Sequence, residues 1–385
     1  MYDDDDTTFS LVSTASVTDA TSVTTRTELE HADDDIDFEI DDATSDFESG
    51  WEVSSGPSTS VPPSVYEDEI AYGRRYHGFR RGIYPMPNDE VERHREETVH
   101  ALFLQLMGGH LFYANIGDYP QKIIDIGTGI GIWPIDVADQ HPSASVIGTD
   151  LSPIQPPWVP INVRMFIEDS EEPEWLHGSD FDLVHFRQMT HVFRNLQGLL
   201  TKIYPFVPVV ADAPPFPTLE TVANYWEDRH VKNGGWVEFH ELIFEIRCDD
   251  GSMKEDDPLR VFIESMKDGL RVYGINILTI NELEQILGEA GFTNVHCITK
   301  KVPISTWPRD KTLRALGVFM KTTINDSLGA MAAKPLAALN LSPAQRVAML
   351  EAARESLEDT SIHRYINCCV CYAQKREGHY AESLY

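Results

Sequence analysis

Gly127-Thr128-Gly129-Ile130-Gly131 directly follows the apolar run Lys122-Ile123-Ile124-Asp125-Ile126, and Asp150 closes a second apolar run over 145–149. Glycine tolerates the positive φ of a tight turn, and its missing side chain lets a ligand approach the backbone. Free N–H groups at a helix start meet a carboxylate or another anionic group. A carboxylate at the end of the second strand accepts hydrogen bonds from both hydroxyls of a ribose. The set reads as a site for an adenosine-bearing cofactor.

The elements that must hold these residues are legible around them. The run 122–126 is short, β-branched and ended by glycine, which predicts a buried parallel strand, and 132–140 has the spacing of a helix. The glycines then occupy a strand-to-helix turn. Dinucleotide sites call for Gly-x-Gly-x-x-Gly, with the third glycine packing helix on strand. This chain has Gly-x-Gly-x-Gly, which disfavours a nicotinamide-dependent oxidoreductase. Asp125 lies inside the first strand, where a carboxylate repels a pyrophosphate but can orient a cation or a water.

The ordered set of Asp125, three glycines and Asp150 resembles class I S-adenosylmethionine-dependent methyltransferases. The segment 165–170 reads as the end of a third strand, Phe181-Asp182-Leu183-Val184-His185-Phe186-Arg187 as a fourth, and Lys232-Asn233-Gly234-Gly235-Trp236-Val237-Glu238 as a turn and fifth strand. Asn233 stands where such proteins usually have proline. Upstream, Gly73-Arg74-Arg75-Tyr76-His77-Gly78-Phe79-Arg80 and Tyr84-Pro85-Met86-Pro87-Asn88-Asp89-Glu90 are unlike a generic helix. Together these blocks, over residues 64–375, resemble the fungal LaeA-like methyltransferases, also called the TAM-domain or Umta family.

That resemblance implies an α/β fold: a class I, Rossmann-like, doubly wound seven-strand sheet at 119–300, a helical lid at 64–118, and a helical addition with the last strand at 301–375. It implies S-adenosyl-L-methionine as cofactor, bound by Asp125, Gly127, Thr128, Gly129, Gly131, Asp150, Leu151, Asp169 and Ser170, with Tyr76 and His77 nearby in the lid. The glycines face the methionine part, Asp150 the ribose, and Asp169 the adenine amino group. It also implies a link to fungal secondary metabolism and to velvet-type regulatory partners. For Arg74, Arg75 and Arg80, a solvated basic face stands beside a ligand role.

Charge is unevenly placed. The formal net charge is −31, and 20 of the 62 acidic residues precede Ile70 against the single Arg26. Residues 1–63 mix Asp runs with Ser, Thr and Pro, leaving too little apolar surface to offset chain entropy, so a disordered tail is expected. Ile36, Phe38, Ile40, Phe47 and Trp51 give it an acidic-hydrophobic texture that suits either a solubilising tail or a partner-binding segment. A second short tail is expected at 376–385. No basic stripe supports direct nucleic-acid binding. No leader or bilayer-length apolar run is evident, so an intracellular protein, nuclear or cytoplasmic, is expected.

Cys248, Cys297, Cys368, Cys369 and Cys371 are expected as reduced thiols. Cys368 and Cys371 have metal-pair spacing, but they lie in an apolar run, 365–372, that reads as the final strand, and no second pair accompanies them; no metal is expected. Thr279 and Glu282 have capping-box spacing ahead of a helix that Gly291 ends. A strand at 295–299 and helices at 311–338 and 343–358 follow, the latter two expected to wall the substrate pocket with the lid. Residues 203–217 contain five prolines and no period, which reads as a surface loop or as a stretch (201–219) that a mature transcript lacks.

Methyl transfer from a sulfonium is an in-line displacement, so alignment supplies most of the catalysis. Should a base be needed, His191, after the fourth strand, is the first candidate, and His240 and Glu241 come next; packing is the alternative for each. Relatives carry aspartate before tryptophan in that loop, whereas this chain has Arg194-Asn195-Leu196. Two functions remain: a methyltransferase acting on a small-molecule or protein acceptor, or a weakly active or inactive cofactor-binding regulator and scaffold of transcription.

Overall fold

The computed structural model describes residues 66–204 and 230–376. The chain enters it through an antiparallel pair, β1 (Glu69–Ala71) and β2 (Arg74–Tyr76), followed by helix α1 (Glu90–Leu106). Asp89 starts α1: its side chain accepts from the Glu92 N–H at 3.3 Å and also from Arg74 Nη2 at 2.7 Å. One carboxylate therefore caps the helix and ties it to β2. The expected lid thus contains a β pair as well as a helix.

The core then alternates strand and helix: β3 (Lys122–Ile126), α2 (Ile132–Gln140), β4 (Ser145–Asp150), β5 (Val163–Ile167), β6 (Phe181–Arg187), α3 (Leu196–Ile203) and β7 (Val231–Arg247). After it come α4 (Pro258–Val272), α5 (Ile280–Glu289), β8 (Thr293–Pro303), α6 (Lys311–Ala338), α7 (Pro343–Glu358) and β9 (Tyr365–Gln374). The seven-strand sheet has the order β5-β4-β3-β6-β7-β9-β8. All pairs are parallel except those of β9, which runs antiparallel to both β7 and β8. This is the doubly wound sheet the sequence implied.

Helices cover both faces, which explains the near-continuous apolar character of β3 and β6. Ile124 and Ile126 of β3 and Phe186 of β6 pack with α3 and α5, whereas Ile123 and Leu183 pack with Trp133 and Val137 of α2. α1, α4 and α6 share the α2 side of the sheet, over Leu242 and Ile246 of β7 and Ile366, Cys368 and Val370 of β9. Period-two alternation thus sorts one strand into two cores. Gly269 of α4 permits close approach to α6, since a Cβ there would meet the Pro335 carbonyl oxygen.

The edge strand β8 runs longer than the expected 295–299, because it pairs with β9 along its whole length while exposing alternate side chains, which dilutes its apolar signal. Cysteine usage also needs correction: Cys297 and Cys371 face each other across β8 and β9 and are joined as a disulfide, so free thiols remain at Cys248, Cys368 and Cys369. Cys368 and Cys371 belong to opposite faces of β9 and cannot share an ion. No helix among the described residues is long and apolar enough to cross a membrane. The expected tails at 1–63 and 376–385, apart from Arg376, and most of the proline-rich stretch lie outside the described residues.

Candidate functional site

The glycine turn between β3 and α2 is built as its sequence demands. Gly127, Gly129 and Gly131 have φ of 73°, 57° and 77°, left-handed values that a side chain strains. The N–H groups of Gly127 and Thr128 donate to the Thr149 carbonyl at 2.9 and 2.8 Å, tying the turn to β4. The Gly129 N–H donates to Asp150 Oδ2 and the Ser152 N–H to Asp150 Oδ1, both at 2.8 Å. Ile130 donates its N–H to Glu96 Oε2 of α1 at 2.9 Å. A Cβ on Gly127 would strike the Met189 thioether, and one on Gly129 the Glu96 carboxylate. Glycine at these positions lets the Met189 and Glu96 side chains lie directly against the turn.

Around it opens a pocket of about 1070 Å³, open solvent included, at the carboxyl ends of the parallel strands. Six carboxylates line it, Glu92, Glu96, Asp150, Glu168, Asp169 and Glu171, against two guanidinium groups, Arg95 and Arg187. Burial pushes the Asp150 carboxyl up to about 6 and that of Glu96 up to about 7. A cation entering this pocket favours their ionised forms.

Of the residues marked by sequence, Gly127, Thr128, Gly129, Asp150, Leu151, Asp169 and Ser170 line the pocket. Gly131 instead begins α2 as its N-cap. Asp125 lies beneath the turn, accepting from the Thr128 hydroxyl at 2.7 Å through Oδ2 and meeting His185 Nδ1 at 2.7 Å through Oδ1. Tyr76 and His77 do not line the pocket. Pairing of β2 with β1 buries Tyr76, with Lys334 Nζ of α6 3.8 Å from its ring centroid. His77 packs beside Tyr84, and it is Tyr84 that reaches the pocket.

His191, the first catalytic candidate, also lies outside the lining. Its ring meets Phe244 edge-on at 5.1 Å, and its Nδ1 stands 3.9 Å from Glu241 Oε2. Glu241 uses Oε1 to accept the N–H groups of Met189 and Thr190 at 3.0 and 3.1 Å, fixing the loop after β6. His240 is enclosed in a relay: Asp125 to His185, His185 Nε2 to His240 Nδ1 at 3.3 Å, and His240 Nε2 to Glu238 Oε1 at 2.7 Å. Glu238 in turn accepts the Ala114 N–H at 2.7 Å. Two carboxylates and two rings are thus joined in one buried chain. Burial holds His185 well below the usual imidazole range.

Sequence reading missed Glu92, Arg95, Glu96 and Arg187. The first three have a visible signal: with Val99 they fall at i, i+3, i+4 and i+7 on the one face of α1 that turns inward. Charge on a stripe that must be buried marks a site. Arg187 ends β6 and reaches His100 Nδ1 at 2.8 Å, while His100 Nε2 meets Asp136 at 2.8 Å; burial depresses His100 to about 4, so its ring is neutral.

A glycine turn, a carboxylate at the end of β4 and surplus negative charge suit a cofactor that joins adenosine to a cationic amino-acid end. The protein is a class I S-adenosylmethionine-dependent methyltransferase, and a profile described as Methyltransferase domain matches residues 95–212. It is 31% identical over 323 residues to methyltransferase pytC of Aspergillus terreus, covering 82% of this chain and 91% of that protein. It is likewise 31% identical to the secondary metabolism regulator LAE1 of Cochliobolus heterostrophus, covering 83% and 98%. Identity to the protein-methionine methyltransferase laeA of Emericella nidulans is 29%, covering 82% and 79%. The chain belongs to the LaeA-like methyltransferase family.

Proposed function

We propose that this methyltransferase acts on an uncharged nucleophile that needs no deprotonation, such as a thioether, presented by a protein or a small molecule of fungal secondary metabolism. The observation that carries this reading is that no imidazole lines the pocket among the described residues, His191 and His240 being held behind it, while the lining carboxylates raised toward neutral pH, Glu96 and Asp150, are engaged with the backbone at the cofactor turn. When bound, S-adenosylmethionine supplies an activated methyl group on a sulfonium. The residues of the chain have the remaining work of orientation. The glycine turn receives the amino-acid end, Asp150 the ribose hydroxyls, and Asp169 and Ser170 the base. Glu241 holds Met189 and Thr190 in place at the pocket edge. Alignment of nucleophile and methyl group then lowers the barrier without an imidazole base.

Similarity to the protein-methionine methyltransferase laeA of Emericella nidulans supports a thioether acceptor. The test is incubation of the purified full chain and its Gly129→Arg variant with methyl-labelled S-adenosylmethionine and methionine-containing peptides, with lysine-containing peptides as controls. Label on methionine, lost in the variant, supports the reading; label on lysine alone overturns it.

A second reading rests on the similarity to the secondary metabolism regulator LAE1 of Cochliobolus heterostrophus. In it the fold and cofactor present a surface to transcriptional partners, with velvet-type proteins as the partner class by resemblance and a nuclear or cytoplasmic setting. Cofactor binding without label transfer to any peptide or small molecule, together with co-purification of such a partner, distinguishes it.

A further inference from the structure

The two guanidinium groups that line the pocket are not equally engaged. Arg95 is spent, its Nε and Nη2 meeting Glu92 Oε1 at 2.7 and 2.6 Å. Arg187, at the end of β6, makes a single side-chain hydrogen bond among the described residues, from Nη1 to His100 Nδ1. A guanidinium cannot accept, so Nδ1 is the acceptor and the ring proton sits on Nε2, directed at Asp136 of α2. The positive charge of Arg187 is therefore held in place by an uncharged ring and not by an opposite charge.

The carboxylates around it are committed elsewhere. Asp125 gives Oδ1 to His185 and Oδ2 to the Thr128 hydroxyl. Glu96 accepts the Ile130 N–H, and Asp150 those of Gly129 and Ser152. Burial lowers the Arg187 guanidinium from the usual arginine range, and the charges of Asp125 and Glu96 offset this only in part; the group stays protonated. Its Nε and Nη2, without a protein partner among the described residues, are not sealed in the interior: both keep accessible surface on a residue that lines the pocket. A desolvated cation in this state calls for an anion, and a planar fork matches a carboxylate through two parallel hydrogen bonds.

S-adenosylmethionine brings three charges at its amino-acid end, a sulfonium, an α-ammonium and an α-carboxylate. The carboxylates of the pocket attract the first two and repel the third. We infer that Arg187 receives the α-carboxylate of the cofactor, positioned for it by His100 and Asp136. The assignment rests on the methyltransferase class of the protein and is independent of the methyl acceptor.

The test is calorimetric titration of the full chain with S-adenosylmethionine and with decarboxylated S-adenosylmethionine, which keeps the adenosine, sulfonium and amine and lacks only the carboxylate. Wild type is expected to prefer the carboxylated form by about tenfold or more. Arg187→Gln is expected to weaken S-adenosylmethionine by about the same factor without weakening the decarboxylated form, so that the preference disappears. Arg187→Lys, which keeps the charge and loses the fork, is expected to fall between the two. Binding of the decarboxylated form by the same samples shows each variant folded, and the lysine variant carries the test should the glutamine variant not fold. A wild type without preference, a preference undiminished in both variants, or an equal loss for both ligands, as a mere balance of buried charge would give, each overturns the assignment. A cooperatively melting wild type that binds neither ligand overturns the cofactor itself, and the role of Arg187 with it.

Discussion

Asp125 Oδ1 lies 2.7 Å from His185 Nδ1 in the interior of the sheet, directly under the glycine turn, and the Trp133 ring stacks on the same imidazole at 3.7 Å between centroids. The aspartate thus acts by shape: one oxygen fixes the ring and the other fixes Thr128 of the turn. Asp125→Ala leaves the Thr128 hydroxyl and the His185 N–H without partners, and is expected to cost about 3 kcal/mol in stability. Urea unfolding followed by tryptophan fluorescence measures it, and a change below about 1 kcal/mol, the scale of one exposed hydrogen bond, contradicts the relay.

Asp150 and Gly129 separate ribose recognition from backbone approach. Asp150→Ala removes a charged acceptor and is expected to weaken S-adenosylmethionine by about 10- to 100-fold. Gly129→Arg adds bulk where a single Cβ already meets Glu96, at a φ of 57°. It should abolish calorimetric binding, and retention of wild-type affinity in a folded variant argues against this pocket.

Affinity for the cofactor should depend on pH in a stated direction. Burial raises Glu96 to about 7 and Asp150 to about 6, so both are partly protonated at mildly acid pH. A sulfonium favours their ionised forms, and affinity is expected to rise between pH 5 and pH 7, about a unit below the titration of a free α-amino group. Glu96→Gln should flatten the upper part of that rise. In the cofactor-free protein the sign reverses. A carboxyl group raised on folding contributes stability that is present below its ordinary range and lost as pH climbs through about 7. Glu96→Gln should therefore compare better with wild type at pH 8 than at pH 5 in melting experiments.

Arg364, 1% exposed, clamps the far end of the fold. It meets Asp257, the N-cap of α4, and donates to the Ser356 carbonyl of α7 at 2.9 Å. Arg364→Ala strands a buried carboxylate and should destabilise by about 3–5 kcal/mol. Chemical denaturation measures this loss, and a surface-like value would show that the pair is not confined.

Local chemistry fixed the elements whose signals are local. The helix over 132–140 follows from its glycine start and apolar spacing, and the one over 280–289 from the Thr279–Glu282 capping box, which the structure contains in full. Parallel strands such as β6 are recognisable because both faces are covered and every position is apolar or paired. β8, open to solvent on alternate residues, gave only a fragment of its length.

Tertiary structure decided what sequence spacing cannot encode. Tyr76 and Tyr84 are both aromatic residues of the lid, yet strand pairing buries one against α6 and the return of the chain sends the other into the pocket. His191 and His240 look equally available for chemistry, but each is held by partners from another element. Glu96 meets the turn from 34 residues away. A motif determines backbone geometry over a few residues, because sterics and hydrogen bonding there are local. Which side chains converge on that backbone depends on how distant faces pack, and only the assembled core sets that.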